Sequence, residues 1–336
     1  MAMKKFLNEP RGFVDDMLRG LVAAHQMLHL DAQDSRAILR SEPAREGRVG
    51  IVTGGGSGHL PVFLGYVGHG LCSAAAVGNV FSSPSIRTIR RAATAVDGGA
   101  GVLFLYGNYG GDVMNFDEAA EELEDNGIAT RTVLVTDDVA SAPPGEEQRR
   151  RGVAGLVFAY KIAGAAAEAG WSLDRVAQVT QKAVDRIRTM GVGLSPCVLP
   201  TTGVATFEIG DDEMEIGIGI HGERGIARVP LESAHAVTLD LLDRVLAELP
   251  DGAPVALLVN SLGATSLEEL YVAYASIDDE LDRRGVTVAR SYVGRYATSM
   301  EMAGMSFTAL ALDDELEELL GQPAESPFFV EGVTRG

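Results

Sequence analysis

The chain is poor in the residues that mark secreted and membrane proteins. Its 336 residues include 2 cysteines and 1 tryptophan. Cys72 and Cys197 lie far apart in apolar surroundings without metal-ligand spacing, so we predict buried, reduced thiols and no metal site. No apolar run is long enough to cross a bilayer without Gly or charge inside it, and neither an apolar stretch nor a cleavage site follows the charged N-terminus. These absences favour a cytoplasmic protein that has no membrane partner.

Basic residues are also scarce. The chain has 28 Lys and Arg against 47 Asp and Glu, which gives a formal net charge of −19. Such a surface repels the phosphates of nucleic acids and of anionic membranes. The one dense basic run, Arg149, Arg150 and Arg151, is expected to be a solvated loop or helix start. The sequence therefore predicts a globular protein that does not bind nucleic acid.

Short β-prone segments alternate with helical patterns along the chain. Strands are predicted over residues 49–53, 101–106, 132–135, 216–221, 255–259, 286–293 and 307–312. Helices are predicted over residues 116–125, 172–190, 233–249 and 266–284, and one more begins with Ser83 as its N-cap and Pro84 at its first position. This alternation predicts an α/β fold, with two α/β domains whose mixed sheets are covered by helices.

The length of the chain allows two domains with cores of their own. Residues 191–203 are rich in Gly, Pro and Thr and are the best candidate boundary. We therefore expect a first α/β domain over residues 1–190, which carries glycine-rich ligand loops. The second α/β domain is expected over residues 191–336, with a C-terminal segment that can pack back on the first.

Two glycine-rich loops follow predicted strands in the first half. Residues 54–59 end in His59, and their glycines fit neither a Walker loop nor a dinucleotide-binding loop. A tight turn and a ligand loop are equally compatible with such glycines, but His59 at the tip favours a ligand. Residues 107–112 end in Asp112. Because ligands gather at the carboxyl ends of strands in such sheets, both loops are expected to face one pocket, with Asp112 as a candidate acid or base.

A third candidate lies in the second half, where Gly and Ile alternate over residues 216–220. This alternation leaves one face of a strand without side chains, so a ligand can approach closely. His221 ends the predicted strand between glycines and is accessible to a ligand. The other histidines, His25, His29, His69 and His235, are expected to be structural.

Six short motifs are spread over most of the chain, and their order is that of a known protein family. They cover residues 53–59, 108–116, 217–223, 262–265, 298–304 and 313–315. Together they resemble the substrate-binding subunit of dihydroxyacetone kinases, as a divergent branch of that family. The resemblance extends from about Lys5 to Pro327.

The resemblance implies a covalent chemistry. A histidine imidazole of the family adds to the substrate carbonyl and forms a hemiaminal, and the matching residue here is His221. A neutral imidazole is a competent nucleophile near pH 7. The acid/base histidine of the family corresponds to His59, and its carboxylate near the reacting hydroxyl corresponds to Asp112. The residues expected to bind the substrate are Gly56, Ser57, Gly58, His59, Gly107 and Asp112.

The sequence departs from the family pattern at three positions, of which the first two line the expected pocket. Leu60 stands where the family commonly has an acidic residue, Gly107 replaces a lysine, and Arg224 replaces a proline. Loss of the lysine at position 107 is expected to open space, which predicts that a four-carbon ketose such as erythrulose competes with dihydroxyacetone.

The resemblance also implies partners. No cofactor is expected in this chain, whereas ADP or ATP with Mg is expected on a separate helical kinase subunit. The phosphoryl donor is either ATP or a phosphoenolpyruvate-dependent relay through a phosphotransfer protein. A homodimer is expected as well. The main alternative is a ketone-binding paralogue that coactivates transcription without catalysis, and a carbohydrate-binding module is a third. Retention of both His59 and Asp112 favours the kinase subunit.

Overall fold

The structure, a computed structural model, describes residues 4–333. The strands of its first sheet are β1 (Leu28–Leu30), β2 (Ala37–Arg40), β3 (Gly50–Ser57), β4 (Ala74–Val80), β5 (Val102–Gly107) and β6 (Thr130–Val135). They lie in the order β1-β2-β4-β3-β5-β6. The strands β4, β3, β5 and β6 are mutually parallel, whereas β1 and β2 run antiparallel to their neighbours.

The second sheet is formed by β7 (Ile187–Ser195), β8 (Glu213–Ile216), β9 (Ala227–Pro230), β10 (Val255–Ser261), β11 (Val288–Gly294) and β12 (Ala303–Ala311). Their order is β11-β10-β12-β7-β8-β9. Only the pair β10 and β11 is parallel. Two short strands, β13 (Ala324–Glu325) and β14 (Val330–Glu331), pair near the C-terminus.

The helices are α1 (Phe13–Ala24), α2 (Ile86–Val96), α3 (Gly110–Asp125), α4 (Leu156–Glu168), α5 (Leu173–Val184), α6 (Ala234–Leu246), α7 (Leu267–Arg284) and α8 (Asp314–Leu320). Two mixed sheets with these helices confirm the predicted α/β class. No helix within residues 4–333 is both long and apolar enough to span a membrane. Both cysteines are buried and free, as expected.

The main core lies around α4, which is buried on nearly every side. An apolar surface around the whole helix is typical of a helix in the interior of a protein. Leu103 of β5, Leu258 of β10 and Leu316 of α8 belong to the same apolar cluster as α4. Side chains from both sheets and from the C-terminal segment therefore share one core.

Two predicted element boundaries are wrong. The helix predicted over residues 172–190 ends at Val184, and Ile187 opens β7 instead. Ile187 is the buried first residue of that strand, and its position in the sequence coincides with the helical spacing of the buried residues of α5. The N-cap of α2 is Ser85 rather than Ser83, since the Ser85 hydroxyl accepts from the Thr88 amide at 3.2 Å.

The expectation for the arginine run is also wrong in part. Arg149 is exposed, but Arg150 is fully buried and forms two contacts of 2.6 and 3.0 Å with the Glu248 carboxylate. Arg151 pairs with Asp138 at 2.8 Å. Burying an arginine requires such a partner, so these two residues connect segments of the chain. The predicted domain boundary at residue 190 falls inside β7, and the division into domains stays a prediction.

Candidate active site

The candidate site lies at the carboxyl ends of β3, β4 and β5. These three strands are neighbours and parallel, so the residues that follow them meet at one edge of the sheet. His59, Phe81 and Tyr109 follow them in turn. His221 reaches the same place from the loop between β8 and β9 of the second sheet. The structure thus brings together the two histidines that the sequence singled out, and their ring centroids are 4.7 Å apart.

His59 is fully buried and has one defined hydrogen bond. Its Nδ1 lies 2.8 Å from the carbonyl oxygen of Thr298. Because a carbonyl oxygen only accepts, Nδ1 carries the proton and Nε2 keeps a free electron pair. Nε2 has no partner. Burial, together with the neighbouring His221, lowers the pKa of His59 to about 3, so the ring is neutral near pH 7 and Nε2 accepts rather than donates.

His221 is partly open to solvent, with 23% of its side chain exposed. Its Nδ1 lies 2.8 Å from the Glu223 carboxylate. A carboxylate accepts, so Nδ1 carries the proton here as well, and Nε2 is the basic nitrogen. The edge of the ring also meets Tyr109 at a centroid distance of 4.7 Å. In the neutral form of the ring, Nε2 is therefore the free nitrogen of an accessible histidine, as a nucleophile requires.

Asp112 lies in the first turn of α3, which begins at Gly110 rather than near residue 116 as predicted. Its side chain is buried, and Oδ1 has no partner. Burial raises the pKa of Asp112 to about 6, although Ser83 and His221 act to lower it. A buried carboxyl group with a pKa near neutrality is suited to accept a proton at physiological pH.

The predicted glycine loop over residues 54–59 is mostly the end of β3, which runs to Ser57, and its glycines are explained in part by packing. A Cβ at Gly56 would lie 2.7 Å from the Ser82 amide nitrogen, and one at Gly58 would lie 2.6 Å from the Phe81 ring. Gly58 also has φ of 106°, which favours glycine. The Ser57 hydroxyl donates to the carbonyl of Gly78 at 2.7 Å. These residues bring Phe81 close to His59, and their contact with a substrate stays a prediction.

Gly107 does not face open space. A Cβ there would lie 3.1 Å from the Gly152 carbonyl oxygen and 3.2 Å from the Tyr109 ring. Tyr109 therefore stands between Gly107 and His221, and the expectation of an empty volume at position 107 is wrong. The Leu60 side chain packs against the main core, so it does not simply take the place of an acidic side chain at the edge of the expected pocket. Arg224 is exposed.

Backbone strain is concentrated beside the two histidines. Phe81 and Met300, with φ of 54° and 53°, are the non-glycine residues of the described chain with positive φ. The Phe81 ring stacks on His59 at 4.8 Å, and the Met300 amide donates to the Gly58 carbonyl at 2.7 Å. Such conformations cost about 1–3 kcal/mol each and tend to cluster at functional sites. Their position supports a functional role for this region.

Sequence reasoning passed over several residues that shape the site. Phe81 stacks on one histidine, Tyr109 packs on the other, and Glu223 sets the proton position on His221. Tyr109 and Glu223 lie inside the motifs that were recognised, so those motifs were the available signal. The alternation of Gly and Ile did not form the predicted strand, because β8 ends at Ile216 and Gly217 turns the chain with φ of 78°.

Comparison with known proteins agrees with this architecture. Residues 19–328 match the Dak1 domain. The dihydroxyacetone-binding subunit DhaK of the PTS-dependent dihydroxyacetone kinase 2 of Listeria innocua is 46% identical over 330 residues, covering 97% of this chain and 99% of the relative. The L-erythrulose kinase of Pectobacterium atrosepticum is 42% identical over 336 residues, covering 98% of this chain and 57% of that kinase.

A solved structure of a dihydroxyacetone kinase operon co-activator, Dha-DhaQ, superposes with a TM-score of 0.89 at 32% identity, covering 96% of this chain and 99% of that one. The two mixed sheets and the similarity over almost the whole length place the chain in the class of kinase-type subunits related to dihydroxyacetone kinases. The chain belongs to the family of dihydroxyacetone kinase substrate-binding subunits.

Proposed function

We propose that this chain is the ketose-binding subunit of a dihydroxyacetone-type kinase and holds a short ketose as a hemiaminal on His221. The observation that carries the proposal is the set of free acceptor atoms at the site. Nε2 of His59 and Oδ1 of Asp112 are buried without partners. The His59 ring lies against that of His221, and Asp112 is close enough for the charge of His221 to act on its carboxyl group. Buried polar atoms are rarely left unpaired, and substrate hydroxyl groups would pair with them.

The chemistry follows from these protonation states. The Nε2 electron pair of His221 forms a bond to the ketose carbonyl carbon, and the carbonyl π electrons move to the oxygen, which takes a proton from solvent. His59 accepts a hydrogen bond from a substrate hydroxyl. Asp112, ionised above about pH 6, would accept the proton of the substrate's terminal hydroxyl while that hydroxyl oxygen bonds to the terminal phosphorus of ATP on a partner subunit and the bond from this phosphorus to ADP breaks. Glycerol has no carbonyl and is not captured.

The phosphoryl group would come from a separate protein. We propose a helical subunit that carries ADP or ATP with magnesium and docks over His221, with a phosphotransfer protein as the source when ADP is the carrier. Several relatives are named as PTS-dependent or PEP-dependent kinases, which supports this arrangement. Purified alone with ATP, magnesium and ketose, the chain should form no sugar phosphate. Addition of such a subunit should restore turnover.

The substrate is proposed to be dihydroxyacetone or a four-carbon analogue. Relatives with 40–42% identity are named as erythrulose kinases, whereas the 46% identical relative is named for dihydroxyacetone. Because Tyr109 occupies the space beside Gly107, we expect comparable kcat/KM values for erythrulose and dihydroxyacetone in steady-state assays with the partner present. A clear preference for dihydroxyacetone would restrict the proposal to the three-carbon ketose.

The adduct itself is the direct test. With dihydroxyacetone labelled by ¹³C at its carbonyl carbon, the bound signal should move from the carbonyl to the tetrahedral region of the ¹³C spectrum. His221→Ala should abolish that signal. His235→Ala, at an exposed histidine on α6, is the matched control and should retain it. An adduct that survives in His221→Ala would refute the assignment.

A coactivator is the second candidate, because the Dha-DhaQ structure matches this chain over 96% of its length. A coactivator would form the adduct but would support no turnover with any kinase subunit. Asp112 and His59 keep the acceptor atoms that phosphoryl transfer needs, which favours the kinase subunit. Adduct formation without turnover, together with ketose-dependent binding to a transcription regulator, would favour the coactivator.

A further inference from the structure

Glu223 contacts His221 through both of its carboxylate oxygens. Oε1 accepts from the ring Nδ1 at 2.8 Å, and Oε2 accepts from the His221 backbone amide at 2.9 Å. One side chain therefore fixes both the backbone and the ring of the histidine. Although burial acts to raise it, the hydrogen bond and charge of His221 and the charge of Arg151 lower the pKa of Glu223 to about 2. Glu223 is therefore ionised near pH 7.

Arg151 lies beside the Glu223 carboxylate and helps to fix its position. It precedes α4 in the first half of the chain, and its Nη1 lies 3.9 Å from Glu223 Oε2. Its Nε donates to Asp138 at 2.8 Å, and Nη2 donates to the Gly217 carbonyl at 3.1 Å. The Arg151 side chain is 15% exposed and that of Asp138 is 3% exposed, so both charges are largely shielded from water. The result is a continuous series of charged groups, Asp138, Arg151 and Glu223, that ends at the His221 ring.

The sequence leaves space for this series of charged groups. A Cβ at Gly219 would collide with the Glu223 carboxylate and with the Arg151 guanidinium. Gly219 does not have a positive φ, so backbone conformation does not explain the glycine. Its hydrogen side chain instead lets the two charged groups approach each other beside the histidine loop.

Adduct formation changes the charge of the ring that Glu223 contacts. When Nε2 bonds to the carbonyl carbon and Nδ1 keeps its proton, the imidazole becomes an imidazolium. An anionic partner stabilises a cation, and hydrogen bonds between charged groups are roughly twice as strong as neutral ones. The Arg151 charge disfavours transfer of the Nδ1 proton to Glu223, because a protonated Glu223 would lose its attraction to Arg151.

We infer that Glu223, held by Arg151, is a positioning residue that selects Nε2 of His221 as the attacking nitrogen and supplies the countercharge of the adduct. The countercharge rests on the proposed function, whereas the choice of nitrogen is independent of any substrate. A simple loop brace is the competing explanation. Glu215 provides the comparison, since its carboxylate accepts from the Gly225 amide at 2.9 Å and from Arg228 at 3.1 Å without contacting His221.

The test uses the full chain with ¹⁵N-labelled histidine. The nitrogen chemical shifts of His221 report which ring nitrogen carries the proton, and ¹³C-labelled dihydroxyacetone titrations report the adduct equilibrium. In the wild-type protein the proton should lie on Nδ1. Glu223→Gln should give a mixture of tautomers, because one amide oxygen cannot serve both donors, and the adduct should form roughly tenfold less favourably.

Two further variants separate the explanations. Glu215→Gln, the matched control, should leave both readouts at the wild-type values. Arg151→Met should keep the Nδ1 tautomer but weaken the adduct, with a smaller effect than Glu223→Gln. The inference is overturned if Glu223→Gln changes neither readout, or if Glu215→Gln changes both to the same extent. If the wild-type protein forms no adduct but its tautomer depends on Glu223, the proposed function fails while the choice of nitrogen stands.

Discussion

Asp112→Asn should make the protein more stable near neutral pH while it removes the proposed base. Burial raises the pKa of Asp112 from 3.8 to about 6. Between these values the folded protein holds a proton that the unfolded chain has released, so stability is lost as the pH rises through about 6. The difference corresponds to about 3 kcal/mol at pH 8, because each pKa unit is worth about 1.4 kcal/mol. Asparagine cannot ionise and avoids this cost.

Urea unfolding of both proteins at pH 5 and pH 8 measures the effect. At pH 5 the folded wild-type protein is still mostly protonated at Asp112, so only part of the difference falls in this interval. The free energy of unfolding of the variant, relative to wild type, should increase by about 1.4 kcal/mol from pH 5 to pH 8. Comparing two pH values removes any constant cost of the asparagine amide. Asp117→Asn, exposed on α3, is the matched control and should show no such change.

Activity completes this prediction. Wild-type turnover with a kinase partner should fall as the pH drops below about 6, where Asp112 becomes protonated. Asp112→Asn should reduce turnover by about 10²–10⁴-fold, the usual contribution of a placed proton acceptor, while the ketose adduct persists. A stability difference that stays constant with pH would contradict the burial argument. Turnover at the wild-type rate in Asp112→Asn would contradict its role as base.

Other variants test the remaining contacts. His59→Asn keeps a donor for the Thr298 carbonyl but loses Nε2, so the ¹³C adduct signal should persist while turnover with the partner falls about 10²–10⁴-fold. Gly219→Ala should displace Glu223 and weaken the adduct in the same titration, whereas Gly20→Ala, which has open space around it, should leave the adduct unchanged. Ser85→Ala removes the observed cap of α2 and should lower the free energy of unfolding in urea by about 1 kcal/mol.

The sequence predicted the fold class because strands and helices with clear polarity alternate along it. It did not predict α4, since a helix that is apolar on every side lacks the periodicity that marks an amphipathic helix. The helix predicted over residues 172–190 was too long for the opposite reason, because the periodicity there is misleading. The buried residues of a helix and of the strand that follows it fall into one continuous helical pattern. Local patterns therefore did not identify a helix that is buried all round, and they did not separate a helix from the strand that follows it.

The site was predicted in part for a related reason. His59 and Asp112 follow parallel neighbouring strands, so topology alone brings them to one edge. His221 comes from the other sheet, and only the family resemblance connected it with them. Protonation states were beyond the sequence, because they depend on Thr298 and Glu223 as hydrogen-bond partners. The prediction of open space at position 107 was wrong, because the replacement of a lysine by glycine does not reveal that the Tyr109 ring packs there.

Dividing the reacting groups between two sheets has a chemical consequence. The proposed nucleophile and its countercharge lie on one loop of the second sheet, whereas the acceptors for substrate hydroxyls lie on the first. Arg151 crosses from the first half to pair with Glu223, so the position of His221 depends on both halves. A relative shift of the two halves would change the distance between the captured carbonyl and Asp112, and it would also change the contacts of His221 with His59 and Tyr109. Point substitutions leave the two halves in place, so the His59 and Glu223 variants are designed to separate capture from proton transfer.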